Sequence, residues 1–263
     1  MGSATRESFE RAEAELAAAS GVTLTTGEQL LMAGRAINGS SQLRSVLADP
    51  SVDAAEKSAL IGTIFRALEP TASKLLHGLT DSRWSNSTQM LDSIEEIGIR
   101  ALARSSGDDG TIESELFAFA RAVESDPELE LALGSKLGDP APRVALVDRL
   151  MKGRISEASL VLVRYIVQNQ RGRRIGELIS HVAGVVAQDA GAIVVTVTAA
   201  STPTDAQLER LRSLLTTRYG RTPRFNLSVD PELVGGLRVQ VGDEMIDGSI
   251  ANRLADLRLR LAG

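Results

Sequence analysis

Through about residue 188 the apolar residues return every three or four positions. Leu60, Ile61, Ile64, Phe65 and Leu68 make one such set, Leu91, Ile94, Ile97 and Ala101 a second, and Ile175, Leu178, Ile179, Val182 and Val186 a third. Side chains at that spacing share one side of an α-helix, so this part of the chain is predicted to be a series of amphipathic helices packed through their apolar stripes. Residues 160–167 are apolar on nearly all sides apart from Arg164, which predicts a central helix surrounded by others. Breaks fall at Asp49-Pro50, at Glu69-Pro70, in the Ser/Gly/Asp run 105–110 and at 138–142. The run at 105–110 reads as a linker.

After Gly191 the period changes to two. Ile193, Val195, Val197 and Ala199 alternate with Val194, Thr196 and Thr198, the pattern of a strand with β-branched residues on both faces. Thr204 and Gln207 then form a capping-box pair, and Leu208, Leu211 and Leu215 run down one helix face to a stop at Gly220. Phe225, Leu227 and Val229 predict a second strand, Leu237, Val239 and Val241 a third, and Gly242-Asp243 a tight turn to Met245-Ile246. Ser249 is the expected N-cap of a closing helix with Ile250, Leu254, Leu257 and Leu261 on its buried side.

The helical region also repeats itself. Residues 28–76 laid without gaps on 114–162, a shift of 86 positions, place Arg35-Ala36 on Arg121-Ala122, Leu43 on Leu129, Leu47 on Leu133, Ala59-Leu60-Ile61 on Ala145-Leu146-Val147 and Ala72-Ser73 on Ala158-Ser159. Apolar matches follow from helical periodicity alone, but the Arg-Ala and Ala-Ser matches do not. The expected fold class is α+β: a mainly α-helical N-terminal bundle of two related units, residues 1–105 and 106–189, followed by a small α/β domain at 190–263.

Composition narrows the chemistry. A chain of 263 residues exceeds one ordinary domain. With aromatic residues at 3%, aliphatic side chains must fill the interior, a habit of helix bundles rather than of base- or sugar-stacking sites. The absence of cysteine removes a disulfide framework, a thiol nucleophile and a Cys-based zinc site. A net charge of −5 opposes general attraction to nucleic acid or anionic lipid. The opening residues run into Arg6 and Glu7 without a secretory apolar stretch, and no apolar run approaches the ~20 residues that cross a bilayer. Membrane contact is therefore expected only through a partner.

Each residue with chemical potential has a plainer reading. Gly235-Gly236 belongs to no phosphate-loop pattern and suits a tight entry to a strand. Asp230, Asp243 and Asp247 read as turn and capping residues rather than metal ligands. A nucleophilic Ser249 lacks a nearby base, because the histidines, His77 and His181, lie in helical sections without zinc-site spacing. Arg171, Arg173 and Arg174, with Arg164, form a basic cluster suited to solvent or to an acidic partner helix. Trp84 reads as a core or inter-unit anchor. No catalytic residue, cofactor or metal site is expected.

The segment from Val229-Asp230-Pro231 through Gly235-Gly236-Leu237 and Gly242-Asp243 to Met245-Ile246-Asp247-Gly248-Ser249 closely resembles the C-terminal signature of the ATP synthase delta subunit family, which includes the mitochondrial oligomycin-sensitivity-conferring subunit. Asp230, Gly235, Gly236, Gly242, Asp247, Gly248 and Ser249 are the signature positions. Val195-Thr196-Val197-Thr198-Ala199-Ala200 is similar to the family's preceding strand, and Asn169 and Arg171, followed by Ile175, Glu177 and Leu178, to its last bundle helices. With the leading repeat, marked by Leu47-Ala48-Asp49-Pro50-Ser51 and Ser82-Arg83-Trp84-Ser85, the chain resembles a long form with an expanded helical region.

The resemblance implies a non-catalytic stator component of a proton-translocating ATP synthase, peripheral on the cytoplasmic face of the cell membrane. Its implied partners are the N-terminal helices of the alpha subunits in the catalytic head and the C-terminal ends of the membrane-anchored b subunits, with no nucleic acid. Asn169, Arg171 and Trp84 become candidate partner-contact or structural positions. The competing expectations are a helical-repeat adaptor for another protein or RNA, and a hydrolase using Ser249.

Overall fold

The computed structural model describes residues 2–107, 109–134, 139–170, 173–233 and 235–248. Its helices are α1 Ser3–Ala18, α2 Leu24–Gly39, α3 Ser41–Ala48, α4 Ala54–Ile64, α5 Pro70–Asp81, α6 Ser87–Ser106, α7 Thr111–Ser125, α8 Pro127–Gly134, α9 Ala141–Met151, α10 Glu157–Gln168 and α11 Ile175–Asp189. They are followed by β1 Ala192–Ala199, α12 Asp205–Tyr219, β2 Thr222–Val229, β3 Leu237–Val241 and β4 Glu244–Asp247. The α+β class is as the periodicity predicts. The closing helix expected after Ser249 lies outside the described residues.

Local chemistry sets many of the helix starts. The side chains of Thr23, Ser40, Asn86 and Ser156 accept backbone N–H groups at the openings of α2, α3, α6 and α10, replacing bonds that the first helical turn cannot make internally. Pro70 occupies the first turn of α5, where a missing N–H costs nothing.

The contacts divide the chain into two compact units that do not follow chain order. One comprises the described residues up to Asp109 together with 127–178; the other comprises 110–126 and the described residues from 179 on. Residues 106–189, expected as one helical unit, are thus distributed between both.

In the first unit, Leu16, Leu30, Ile37, Leu47, Ile61, Leu76, Leu79 and Ile94 are fully buried in one apolar cluster. Within it α2 lies along α6, and the crossing is close because small residues face it. A Cβ on Gly27 would stand 2.7 Å from the Gly98 carbonyl oxygen and 2.5 Å from Leu102 Cγ, and one on Gly34 would stand 3.1 Å from Ile94. The helical spacing at 60–68 carried less than it promised. Helix α4 stops at Ile64, which is 46% exposed, while Ile61 and Phe65 turn inward.

The second unit is organised by a sheet in the order β2-β1-β3-β4. Strands β1 and β2 are parallel, with Val195 opposite Phe225 and Val197 opposite Leu227, joined through α12. Strand β3 runs antiparallel to β1, and β4 to β3. Val195, Val197 and Val239 meet Leu215 of α12 in the core. The alternate residues Thr196, Asn226 and Gln240 are only partly buried or exposed, as period-two alternation requires. The Thr204–Gln207 capping box and the left-handed Gly220 bound α12 as expected.

The repeat extends to the helix boundaries. Shifted by 86 positions, α3 coincides with α8, while α2, α4 and α5 fall within one residue of α7, α9 and α10 at either end. Burial follows the same correspondence: Leu30 and Leu116, Leu47 and Leu133, and Leu76 and Leu162 are all 0% exposed. Such agreement exceeds what period alone produces, because loop lengths and helix ends must coincide as well as stripes.

Candidate partner-binding site

Two regions bear on partner binding: the loop-and-hairpin signature of the second unit, and a trough between helices in the first that includes Arg164.

The signature is a set of backbone constraints. The Asp230 N–H donates to the Ala199 carbonyl at 2.9 Å, and its carboxylate accepts the Glu232 N–H at 3.0 Å, so Asp230 folds the chain back from the end of β2. Gly235 and Gly236 adopt φ of +68° and +85°, the left-handed region that a side chain disfavours. Gly242, at φ +57°, turns the two-residue hairpin between β3 and β4, where Val241 pairs with Glu244. The Gly248 N–H donates to the Leu237 carbonyl at 2.9 Å, and a Cβ there would approach that oxygen to 3.1 Å. Asp247 faces Arg238 across the hairpin at 3.6 Å. Asp230, Gly235, Gly236 and Gly248 thus gather at the Leu237 end of β3, and Gly242 turns the chain at its Val241 end. Ser249 lies outside the described residues.

The trough runs between α2 and α10. It encloses about 410 Å³. Leu31, Met32, Ala67 and Val161 provide apolar surface, and Glu28, Arg35 and Arg164 provide charge. On α2 the lining residues Thr25, Glu28, Gln29, Met32 and Arg35 follow helical spacing, as do Val161, Arg164, Tyr165 and Gln168 on α10, so each wall is one helix face. Met32 is 45% exposed, a large apolar side chain left toward solvent. Arg164 is held by Asp148 of α9 at 2.6 Å.

Of the candidate contact positions, Asn169 belongs to this trough indirectly. Buried at the end of α10, it donates from Nδ2 to the Tyr165 hydroxyl at 2.5 Å, which fixes a wall residue. Trp84 is elsewhere: it lies in the first unit's core, and its indole N–H donates to the Leu79 carbonyl at 2.6 Å. Arg171 lies outside the described residues. Sequence reading missed Met32 and Val161, because an apolar residue at helical spacing carries no mark that distinguishes core from groove.

Among the described residues no group of three or more His, Asp or Glu side chains is placed to hold a metal ion. Among them, too, no helix is long and apolar enough to cross a membrane.

Comparison with known proteins assigns the family. Residues 99–261 match the family model described as ATP synthase delta (OSCP) subunit. A protein named ATP synthase subunit delta from Leifsonia xyli subsp. xyli is 44% identical over 264 residues, covering 100% of both chains. The chain belongs to the ATP synthase delta (OSCP) subunit family. Relatives with the same name come from Kineococcus radiotolerans, 39% identical over 242 residues covering 90% of this chain and 88% of that one, and from Streptomyces avermitilis, 37% identical over 263 residues covering 98% and 96%. The matches to these three relatives also run through helices that precede residue 99, where the family model begins. A chain in the Toxoplasma gondii mitochondrial ATP synthase hexamer is also similar, at 17% identity and a TM-score of 0.40, covering 64% of this chain and 95% of that chain. That similarity is too distant to add to the assignment.

Proposed function

We propose that this chain is the delta subunit of a proton-translocating ATP synthase and works as a peripheral-stalk component that catalyses nothing itself. The observation that carries the proposal is the full-length identity of 44% to a protein of that name. The mechanical logic is simple. Proton flow turns a rotor inside a catalytic head, and the head performs work only if a non-rotating tether prevents it from turning too.

Such a tether needs grip rather than a substrate. In this reading the helical region takes N-terminal helices of the alpha subunits, the C-terminal region takes the ends of the b subunits, and the protein sits on the cytoplasmic face of the membrane through those partners. Amphipathic helices bind by setting apolar anchors at i, i+3, i+4 and i+7 into a groove between bundle helices. The trough between α2 and α10, with Met32 and Val161 between charged edges, has suitable chemistry. Contacts of this kind on one body reinforce each other through effective concentration.

We assign the head contact to the second helical unit, residues 106–189, and treat residues 1–105 as the additional unit of the long form. The family-model match beginning at residue 99 supports this choice. Crosslinking the intact complex and mapping the peptides tests it: alpha-subunit crosslinks are expected within 106–189, accompanied before residue 105 only by ones to the α2 side of the trough, and b-subunit crosslinks after 190. Alpha crosslinks confined to residues before 105 would contradict the assignment. Calorimetry on the isolated protein is expected to give no nucleotide binding, and nanomolar binding of ATP would refute the non-catalytic reading.

A further inference from the structure

We infer that α6 is shared by two overlapping copies of one six-helix repeat, serving as the last helix of the first copy and the first helix of the second. The 86-residue shift that relates α2–α5 to α7–α10 also carries α1 onto residues 89–104, inside α6. The sequences agree where this correspondence ends. Leu16-Ala17-Ala18-Ala19-Ser20-Gly21 falls on Leu102-Ala103-Arg104-Ser105-Ser106-Gly107, and both glycines are left-handed, at φ +71° and +78°. Only residues 107–110 separate α6 from α7, which leaves no room for a separate first helix in the second copy.

Burial distinguishes a helix used once from a helix used twice. On α1 the buried residues are Thr5, Ser8, Ala12 and Leu16, a single stripe at spacings of three and four. Their counterparts on α6, Leu91, Ile94, Gly98 and Leu102, are all buried, and so is every residue from Ile97 to Ala103. Seven consecutive buried residues cover about two turns, so the helix is enclosed on all sides, unlike an amphipathic surface helix. Met90, Leu91, Ile94, Ile97 and Ala101 belong to the first unit's apolar cluster, whereas Ile99, Leu102 and Ala103 are buried outside it. Helix α6 also packs against α10 as well as α1, α2 and α5; the α6–α10 contact is the counterpart of α1–α5. At the chain's start the corresponding outer face of α1 is polar, with Glu7 and Arg11 exposed where α6 buries Ser93 and Ile97.

The consequence is that damage to α6 is felt by both copies, while damage to α1 is felt by one. Hydrogen exchange of the full chain, read by mass spectrometry, tests this with the equivalent substitutions Leu102→Ala and Leu16→Ala. Leu102→Ala is expected to raise exchange about tenfold or more in both α2 and α10. Leu16→Ala is expected to raise it in α2 and α5 and leave α9 and α10 at the wild-type rate. Ile99→Val serves as a milder α6 variant if Leu102→Ala does not fold, with the same expected spread. The inference is overturned if the α6 variants loosen only one of α2 and α10, or if Leu16→Ala loosens α9 and α10 as much as Leu102→Ala does.

Discussion

Asp53 and Asp139 stand 86 residues apart and make the same bond. Each carboxylate accepts a backbone N–H two residues further on, from Ala55 at 2.7 Å and from Ala141 at 2.9 Å. The pair marks the start of α4 and of α9. Asp53 is the N-cap of α4, whereas Asp139 stands one residue before Pro140, the N-cap position of α9; both carboxylates serve N–H groups that have no partner within the helix.

Replacing either carboxylate by alanine is therefore expected to cost about 1 kcal/mol of stability, and asparagine is expected to restore most of it. The two losses are expected to add, because the bonds share no partner. Urea unfolding of Asp53→Ala, Asp139→Ala and the double variant measures both points.

The crossing of α2 and α6 makes Gly27 sensitive to a single methyl group. Backbone atoms of Gly98 and Leu102 lie within 2.9 Å of where that methyl would stand, so relief requires the helices to move apart. Gly27→Ala is expected to destabilise by about 1–3 kcal/mol, despite alanine's better helix propensity. Gly62, with nothing near its would-be Cβ, provides the control. Gly62→Ala in α4 is expected to stabilise slightly, and thermal unfolding of the two variants should move in opposite directions.

Lys57 gives the stability a defined pH dependence. It is 4% exposed, and its Nζ donates to the Thr80 carbonyl at 3.1 Å, in the last turn of α5. Burial holds its pKa below the usual 10.5, with the charges of Asp81 and Asp49 opposing that shift. Between the folded-state pKa and 10.5 the unfolded chain binds more protons, so stability rises as pH rises through that window, and the cost of burying the charge is fully present below it. Lys57→Met is expected to remove this slope. Urea unfolding of both proteins at a series of alkaline pH values checks the sign.

In the second unit, Glu113 of α7 faces Arg224 of β2 at 3.5 Å, with side-chain exposures of 3% and 20%. Removing the guanidinium leaves a nearly fully buried carboxylate without that partner. Arg224→Ala is expected to cost about 1–3 kcal/mol, because Glu113 loses one of its interactions rather than all of them, and adding Glu113→Leu is expected to recover part of it. A double-mutant cycle in denaturant reads the coupling; strictly additive losses would show that the two charges do not depend on each other.

Gly236, at φ +85°, is expected to resist substitution for a conformational reason alone. Gly236→Ala should cost about 1–2 kcal/mol, read as a lower unfolding midpoint.

The sequence by itself determined what local interactions decide. A stripe every three or four residues makes a helix because only one side of it can leave water, and alternation makes β1 a strand for the same reason on a pleated surface. Thr204 and Gln207 specified the start of α12, Gly220 specified its end, and the signature glycines foretold turns that the backbone takes. Tertiary structure alone decided which stripe meets which. Ile64 has the spacing of a core residue and is exposed because α4 ends beneath it, whereas Ile97 through Ala103 are buried in succession because helices surround α6. Met32 and Val161 became groove residues only when α10 came to lie against α2. Burial depends on neighbours distant in the chain, and the pattern along one helix does not name them.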